Sequence, residues 1–295
     1  MNFEERMKQR AQEVEAVIRR SLPEETGFQR TVLEAMNYSV LAGGKRLRPM
    51  LMEETWRMFG GEGEEIGLFM AAIEMIHTSS LIHDDLPAMD GDEYRRGRKT
   101  TWVQYGEDMA ILAGDGLMIF AFEVAAGAFA RTNHPERVGE AVRILAAKTG
   151  IYGMIGGQTV DVELTGRPMT GEQLDFVYRL KTGALLEASM MIGAVLAGAD
   201  ERQVQAVERI AGDLGVAFQI QDDILDLTST QEELGKPVGS DEKNSKNTYV
   251  SLYGMEAAQA KVEELSRRAL EGLKGFEVRN EFLEELFIYL IHRKK

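Results

Sequence analysis

The chain has 295 residues, 44% of them hydrophobic, and its 34 basic and 48 acidic side chains leave a formal charge of −14. The apolar content is ample for a sizeable core, whereas the negative balance argues against general nucleic-acid binding or attraction to an anionic membrane. No cysteine is present, which excludes disulfides and thiolate metal sites.

The first segment, MNFEERMKQRAQEVEAVIRR, is charged at helical spacing and carries no apolar signal core; a cytoplasmic location is expected. Helical periodicity then recurs at about 5–20, 28–41, 49–59, 66–85, 107–131, 135–156, 172–199, 201–227 and 255–272, with a last candidate at 278–291. Breaks fall at Pro23, Gly43–Gly44, Gly60–Gly63, Asn133–Pro135, Gly166–Pro168 and the polar stretch 228–247. Alternating strand patterns are nearly absent, and no Ser/Gly linker divides the chain. The expectation is a single all-α domain over 1–295, a large helical bundle around a central apolar cavity. The most membrane-like stretch, Met109–Ala130, contains Asp115 and Glu123. Acids at mid-membrane are costly, so the stretch is expected to be a buried core helix and no membrane span is expected.

Two aspartate clusters carry the chemistry. The first is Asp84, Asp85, Asp90 and Asp92 in LIHDDLPAMDGDEYRRGR. Pro87 disfavours helix at Leu86, so the preceding helix should stop near Asp85. Its acids then sit at the negative end of the helix dipole, a placement relieved by a cation. The second is Asp222, Asp223 and Asp226 in FQIQDDILDLTST. Asp222 and Asp226, at i and i+4, share one helical face. Carboxylates without cysteine favour a hard cation, Mg²⁺ or Mn²⁺. Either cluster alone would pass as a solvated helix end; two clusters, each closing an apolar helix, point to metal. Basic residues lie in GGKRLRP (Gly43–Pro49), where Pro49 suits a first helical position. Lys45, Arg46 and Arg48 would then precede a helix N-terminus and, with a bound diphosphate, lose their mutual repulsion. Arg95 and Arg96 follow the first cluster; Lys181, Lys236 and Lys246 stand alone. Metals on carboxylates can hold a diphosphate from one side while Arg and Lys hold it from the other. An apolar interior leading away would receive a hydrocarbon tail.

DDLPAMD followed by RRG, a second DDILD, GGKRLRP and KTG at Lys181–Gly183 together resemble the all-trans prenyl diphosphate synthases, bacterial farnesyl and geranylgeranyl diphosphate synthases in particular. The likeness runs from about residue 28 to the C-terminus. The resemblance implies an isoprenoid synthase fold, a homodimer, and head-to-tail condensation of isopentenyl diphosphate with dimethylallyl, geranyl and, for extension, farnesyl diphosphate. Asp84, Asp85 and Asp90 would match the first metal motif, in the form with Pro87 and Ala88 inserted. Asp222, Asp223 and Asp226 would match the second. Together they would hold three Mg²⁺, replaceable by Mn²⁺, on the allylic diphosphate, with Arg95, Lys181, Lys236 and Lys246 as its cationic surroundings. Isopentenyl diphosphate would lie on Gly44, Lys45, Arg48, His77 and Arg96. Thr182 and Gln219 would face the allylic cation, with Gln158 and Asp161 nearby. Ser79, Ser80 and Ile76, with Ile73 deeper, would set chain length at C15 with extension to C20. Gly91 stands where a further Asp is common, and Trp102 where His is usual. The competing readings are a class I terpene cyclase, a phosphohydrolase built on His83–Asp84, and a non-catalytic partner subunit. The last should have lost one acid cluster, and both are intact.

Overall fold

The computed structural model describes residues 2–228 and 247–292. Its described residues fold almost wholly into helices and divide into two compact units, residues 1–53 with 62–142 and residues 54–61 with 143–295.

The first unit contains α1 (Phe3–Arg20), α2 (Arg30–Val40), the start of α3 (Leu47–Met58), α4 (Glu65–Asp84), a short hairpin β1–β2 (Tyr94–Arg95 and Arg98–Lys99), α5 (Thr101–Tyr105), α6 (Glu107–Ala126) and the start of α7 (Pro135–Thr149). A capping box between Asn2 and Glu5 opens α1, satisfying amides that have no partner within the helix. The middle helix is α4. It is apolar on nearly every side, from Phe69 and Met70 through Ile73 and Ile76 to Ile82, and such a helix is stable only when surrounded. It packs against α1, α2 and α6. On α6 the contact stripe is small: Ala110, Ala113, Gly114, Leu117, Ala121 and Ala125 are buried. A Cβ on Gly114 would lie 2.2 Å from Nε2 of His83, so glycine is what lets α4 approach there.

The second unit holds α8 (Met154–Glu163), α9 (Gly171–Val177), a π-helical turn (Tyr178–Gly183), α10 (Ala184–Leu196), α11 (Glu201–Thr228), α12 (Tyr249–Tyr253), α13 (Met255–Lys274) and α14 (Glu281–His292). Every residue of α10 is buried, and α10 packs on α11, which packs in turn on α13.

Several boundaries differ from the periodicity. The helix expected at 135–156 stops at Thr149, and α8 begins separately at Met154. The break depends on glycine: a Cβ on Gly153 would lie 2.0 Å from the Lys148 carbonyl oxygen. The segment 172–199 is two helices joined by the π turn. The stretch 107–131 ends in a 3₁₀ turn from Gly127 to Arg131. It is also only half a core helix, since Ile111, Leu112 and Ile119 face outward. In length and composition both α4 and Glu107–Arg131 could cross a membrane, but α4 is mostly enclosed by its own unit. The hairpin turns on Arg96 and Gly97, both at positive φ, as a two-residue turn of the tightest type requires. Finally, α3 begins at Leu47, so Pro49 is its third residue and Arg48 lies inside the first turn, not before it.

Candidate active site

In the first unit, α4 ends at Asp84 and the chain curls back on itself. The amide of Asp90 donates to the Asp84 carbonyl at 2.9 Å, and the amides of Met89 and Gly91 to that of Leu86. Asp84, half-buried, and Asp90, exposed, therefore share one helix end. Gly91 sits at φ +67°, a conformation in which an aspartate would be strained. Asp85 is buried and accepts from Arg95, at 2.8 Å from Nε and 2.6 Å from Nη2. Burial pushes its carboxyl up to about 6, although Arg95 opposes the shift. Trp102 donates to the Asp92 carbonyl at 2.9 Å and Thr100 at 2.8 Å, so Trp102, in the position expected for His, fastens the loop.

Cations gather beside this end. Arg48 is pushed down to about 10 by burial, with Glu74 opposing and Arg96 adding to the shift. Its Nε is buried and has no hydrogen-bond partner among the described residues. His77 lies well below the usual imidazole range, through burial first and then the positive charge of Arg48, Arg96, Arg95 and Arg46. Arg96 donates to the Gly43 carbonyl, and a Cβ on Gly44 would lie 2.7 Å from its guanidinium carbon. Gly44, Arg48, His77 and Arg96 are thus brought together, with Lys45 exposed on the same loop. Arg46 is different. It is buried on Glu15, Glu74 and the Val40 carbonyl, which makes it structural. A crowd of like charges with an unsatisfied buried donor is costly and is the signature of an anion site.

One turn up α4, Ser79 is fully buried and donates to the Ile76 carbonyl at 2.8 Å; Ser80 is half-buried and donates to that of His77 at 2.8 Å. Ile76 and Ile73 are fully buried. His83 turns to α6, 3.5 Å from Asp115.

In the second unit, Lys181 and Thr182 lie on the π turn. Single π turns recur at functional sites because they re-aim side chains within a helix. This one is pressed from both sides: a Cβ on Gly157 would lie 2.2 Å from the Lys181 amide, and one on Gly215 would lie 2.7 Å from Cα of Gly183. Lys181 pairs with Asp161 of α8 at 2.6 Å, and Gln158 lies on the same helix. Thr182 donates to Gln219 at 2.8 Å. Asp222 is half-buried, whereas Asp223 and Asp226 are buried. Asp223 accepts from Tyr178, from the Tyr249 amide at 2.9 Å and from Gln219 at 3.4 Å. Lys236 and Lys246 lie outside the described residues. Sequence reasoning missed Tyr178, Tyr249, Gly157 and Gly215. Only the glycines left a trace in the sequence, as small residues inside apolar runs.

Among the described residues, no three acidic or histidine side chains converge as a ready metal cage. The acids nevertheless suit Mg²⁺, which is commonly held by one or two carboxylates while substrate phosphates complete its shell.

A family model described as polyprenyl synthetase matches residues 29–284. The farnesyl diphosphate synthase of Geobacillus stearothermophilus is 43% identical over 268 residues, which cover 89% of this chain and 88% of that protein. The chloroplastic geranylgeranyl pyrophosphate synthase of Capsicum annuum is 47% identical over 247 residues, covering 83% and 67%. Among solved structures, an apo FPP/GFPP synthase from Zymomonas mobilis matches with a TM-score of 0.87 at 32% identity, covering 98% of this chain and 99% of that one. A geranyltransferase from Helicobacter pylori, complexed with magnesium and isoprenyl diphosphate, matches with a TM-score of 0.84 at 32% identity, covering 99% and 97%. With both acid motifs and the cation cluster inside the matched span, the chain belongs to the polyprenyl synthetase family and shares its all-α isoprenoid synthase fold.

Proposed function

We propose that this short-chain all-trans prenyltransferase condenses isopentenyl diphosphate with dimethylallyl and then geranyl diphosphate to farnesyl diphosphate, and extends part of that product to geranylgeranyl diphosphate. The observation that carries the reading is the cluster of Arg48 and Arg96 with His77 beside them, distinct from the carboxylates at the end of α4. One diphosphate needs metals and the other needs only bare cations, and the first unit offers both kinds of anion site.

Asp84, Asp85 and Asp90 in the first unit, and Asp222 and Asp226 in the second, are the residues that would hold Mg²⁺, which when bound would supply Lewis acidity toward the leaving diphosphate. Three ions, and replacement by Mn²⁺, belong to this proposal. Arg95 and Lys181 are held by Asp85 and Asp161 with their charges fixed before substrate arrives, which is the preorganisation that stabilises developing negative charge. Arg48, Lys45 and Arg96 bind isopentenyl diphosphate, with Gly44 allowing close approach of Arg96. His77, neutral in this electropositive setting, can donate one hydrogen bond to an anion but is a poor base. The proton lost from C2 of isopentenyl diphosphate goes to the departed diphosphate. Thr182 and Gln219 face the allylic cation.

The family model spans residues of both units, which supports reading them as one synthase domain. We assign the outward face of Ile111, Leu112 and Ile119, together with Phe129, to a homodimer, because several large apolar side chains exposed on one helix and the turn that follows it call for a cover. His83 packs on Gly114 and approaches Asp115, which disfavours a metal-binding His83–Asp84 pair. Incubation with isopentenyl and dimethylallyl diphosphates plus Mg²⁺ tests the whole reading. Diphosphate release that requires both substrates supports condensation; equal release from one alone means hydrolysis or cyclisation.

A further inference from the structure

Tyr178 opens the π turn and Thr182 lies near its end, and both return to the same stretch of α11. Tyr178 is 5% exposed and its hydroxyl donates to Oδ2 of Asp223. The Tyr249 amide donates to the same oxygen at 2.9 Å and reaches the Tyr178 hydroxyl oxygen at 3.1 Å. Oδ1 of Asp223 accepts from Nε2 of Gln219 at 3.4 Å, and Oε1 of Gln219 accepts from the Thr182 hydroxyl at 2.8 Å. The four side chains and the backbone of the turn close a ring.

The ring has a direction. An ionised carboxylate only accepts hydrogen bonds, so Gln219 must turn its NH₂ toward Asp223 and its carbonyl toward Thr182. The Thr182 hydroxyl has a single proton, and it is committed to that carbonyl. To any other neighbour Thr182 then shows lone pairs alone, the polarity that favours a cation. Hydrogen-bonded chains of this kind polarise one another inside a protein.

We propose that Tyr178 is a positioning residue of the condensation: with Asp223 it fixes the sense of the Gln219 amide, and so keeps the lone pairs of Thr182 turned toward the allylic cation. This inference rests on the reading of Thr182 and Gln219 given above. It makes Asp223 an orienting carboxylate, separate from the metal-holding work of Asp222.

Two near-isosteric variants test it. In Tyr178→Phe the hydroxyl is lost; kcat should fall about tenfold, with KM for both substrates and the half-saturating Mg²⁺ concentration within twofold of wild type. In Asp223→Asn the amide oxygen still serves Tyr178 and Tyr249, and its NH₂ confronts that of Gln219. Gln219 then reverses, and the Thr182 proton is turned outward. Here kcat should fall further than in Tyr178→Phe, again with Mg²⁺ dependence within twofold. Thr182→Val, which costs about tenfold in the wild-type background, should cost less than twofold on top of Asp223→Asn. Full kcat in either single variant overturns the inference, as does a Thr182→Val loss that multiplies unchanged, or a large shift in Mg²⁺ dependence for Asp223→Asn. The thermal midpoint is recorded for each variant. If Tyr178→Phe does not fold, the Asp223→Asn and Thr182→Val pair decides alone. Wild-type condensation is measured alongside: its absence would sink the functional reading, whereas a normal wild type with unimpaired variants sinks only the ring.

Discussion

The ends of α4 and α11 each present a pair of adjacent aspartates, and in each pair the two members are treated differently. Asp84 and Asp222 stay half-buried, while Asp85 and Asp223 are 3% and 2% exposed. The buried members have different partners among the described residues. Asp85 meets a full positive charge on Arg95, whereas Asp223 meets neutral donors, the Tyr178 hydroxyl and the Tyr249 amide. At α4 the second aspartate holds a cation in place; at α11 it orients a dipole. One written motif therefore covers two kinds of preorganisation, and the division inside each pair is set by burial, which the letters do not show.

The largest expected effect breaks the pairs at their accessible members. Asp84→Ala or Asp222→Ala should lower kcat by on the order of a hundredfold or more, the scale for removing a main electrostatic stabiliser, and excess chelator should abolish activity. Asp85→Asn should cost less, about tenfold, because Asp84 and Asp90 would still hold the metal and a neutral amide can still accept from Arg95. Steady-state kinetics checks the order. If Asp85→Asn were as damaging as Asp84→Ala, the division of labour at α4 would be wrong.

The next effect separates the anion sites by substrate. Arg48→Ala should raise KM for isopentenyl diphosphate about tenfold, roughly one charge-assisted hydrogen bond, and leave KM for the allylic substrate within twofold. Lys45→Ala should act in the same sense, more weakly because Lys45 is exposed. Lys236→Ala should act through the allylic substrate. An Arg48→Ala variant that weakened only allylic binding would dissolve the distinction between bare-cation and metal-assisted sites.

Much of this was legible in the sequence. Long apolar periodicity gave the helices, and Pro87 placed the end of α4 within one residue. The acid clusters, GGKRLRP and KTG point to the candidate site residues without any geometry. What stayed hidden depended on packing. Periodicity runs through Gly153 because a close approach that only glycine allows leaves no mark in hydropathy. The π turn was hidden for the same reason, since one added residue barely disturbs a 3.6 repeat. Tyr178 carries no signal in the sequence, because its hydroxyl acquires a role only where α11 passes beside it. Pro49 was misplaced by two residues, since the first turn of a helix tolerates proline at more than one position.

A smaller effect concerns pH and falls on α4. The Asp85 carboxyl is held up at about 6, against an ordinary value of 3.8. The folded protein therefore binds this proton more tightly than the unfolded chain. Its contribution to stability is fully present below about 4 and is lost as pH rises through about 6. Without Mg²⁺, the thermal midpoint of wild type should gain on that of Asp85→Asn as pH falls from 7 to 5. Parallel pH profiles for wild type and Asp85→Asn would refute the burial argument.

The smallest expected effect on turnover, though not on outcome, lies one turn before each acid pair. Five and four residues before the first aspartate, α11 carries Ala217 and Phe218, and α4 carries Ser79 and Ser80. The first places a bulky ring beside a small residue, and the second leaves both positions small. A tail running along α4 away from Asp84 would pass these serines. One helical turn is about 5.4 Å, close to one isoprene unit, so its first wall would stand a turn deeper, at Ile76 or Ile73. Both serines already donate to their own helix, so neither needs another polar partner and the surface they offer a hydrocarbon is nearly apolar. Ser79→Tyr should therefore shift products from the C15 and C20 mixture toward C15 or shorter, with kcat for the first condensation within a few-fold of wild type. Thermal stability separates this from simple overpacking, which in a filled core costs about 1–3 kcal/mol. A ring that enters the tunnel leaves the thermal midpoint nearly unchanged, whereas a ring forced into a closed core lowers it. A wild type that stops strictly at C15, with an unchanged profile and a lowered midpoint in Ser79→Tyr, would show that the turn before Asp84 is packed as tightly as the one before Asp222.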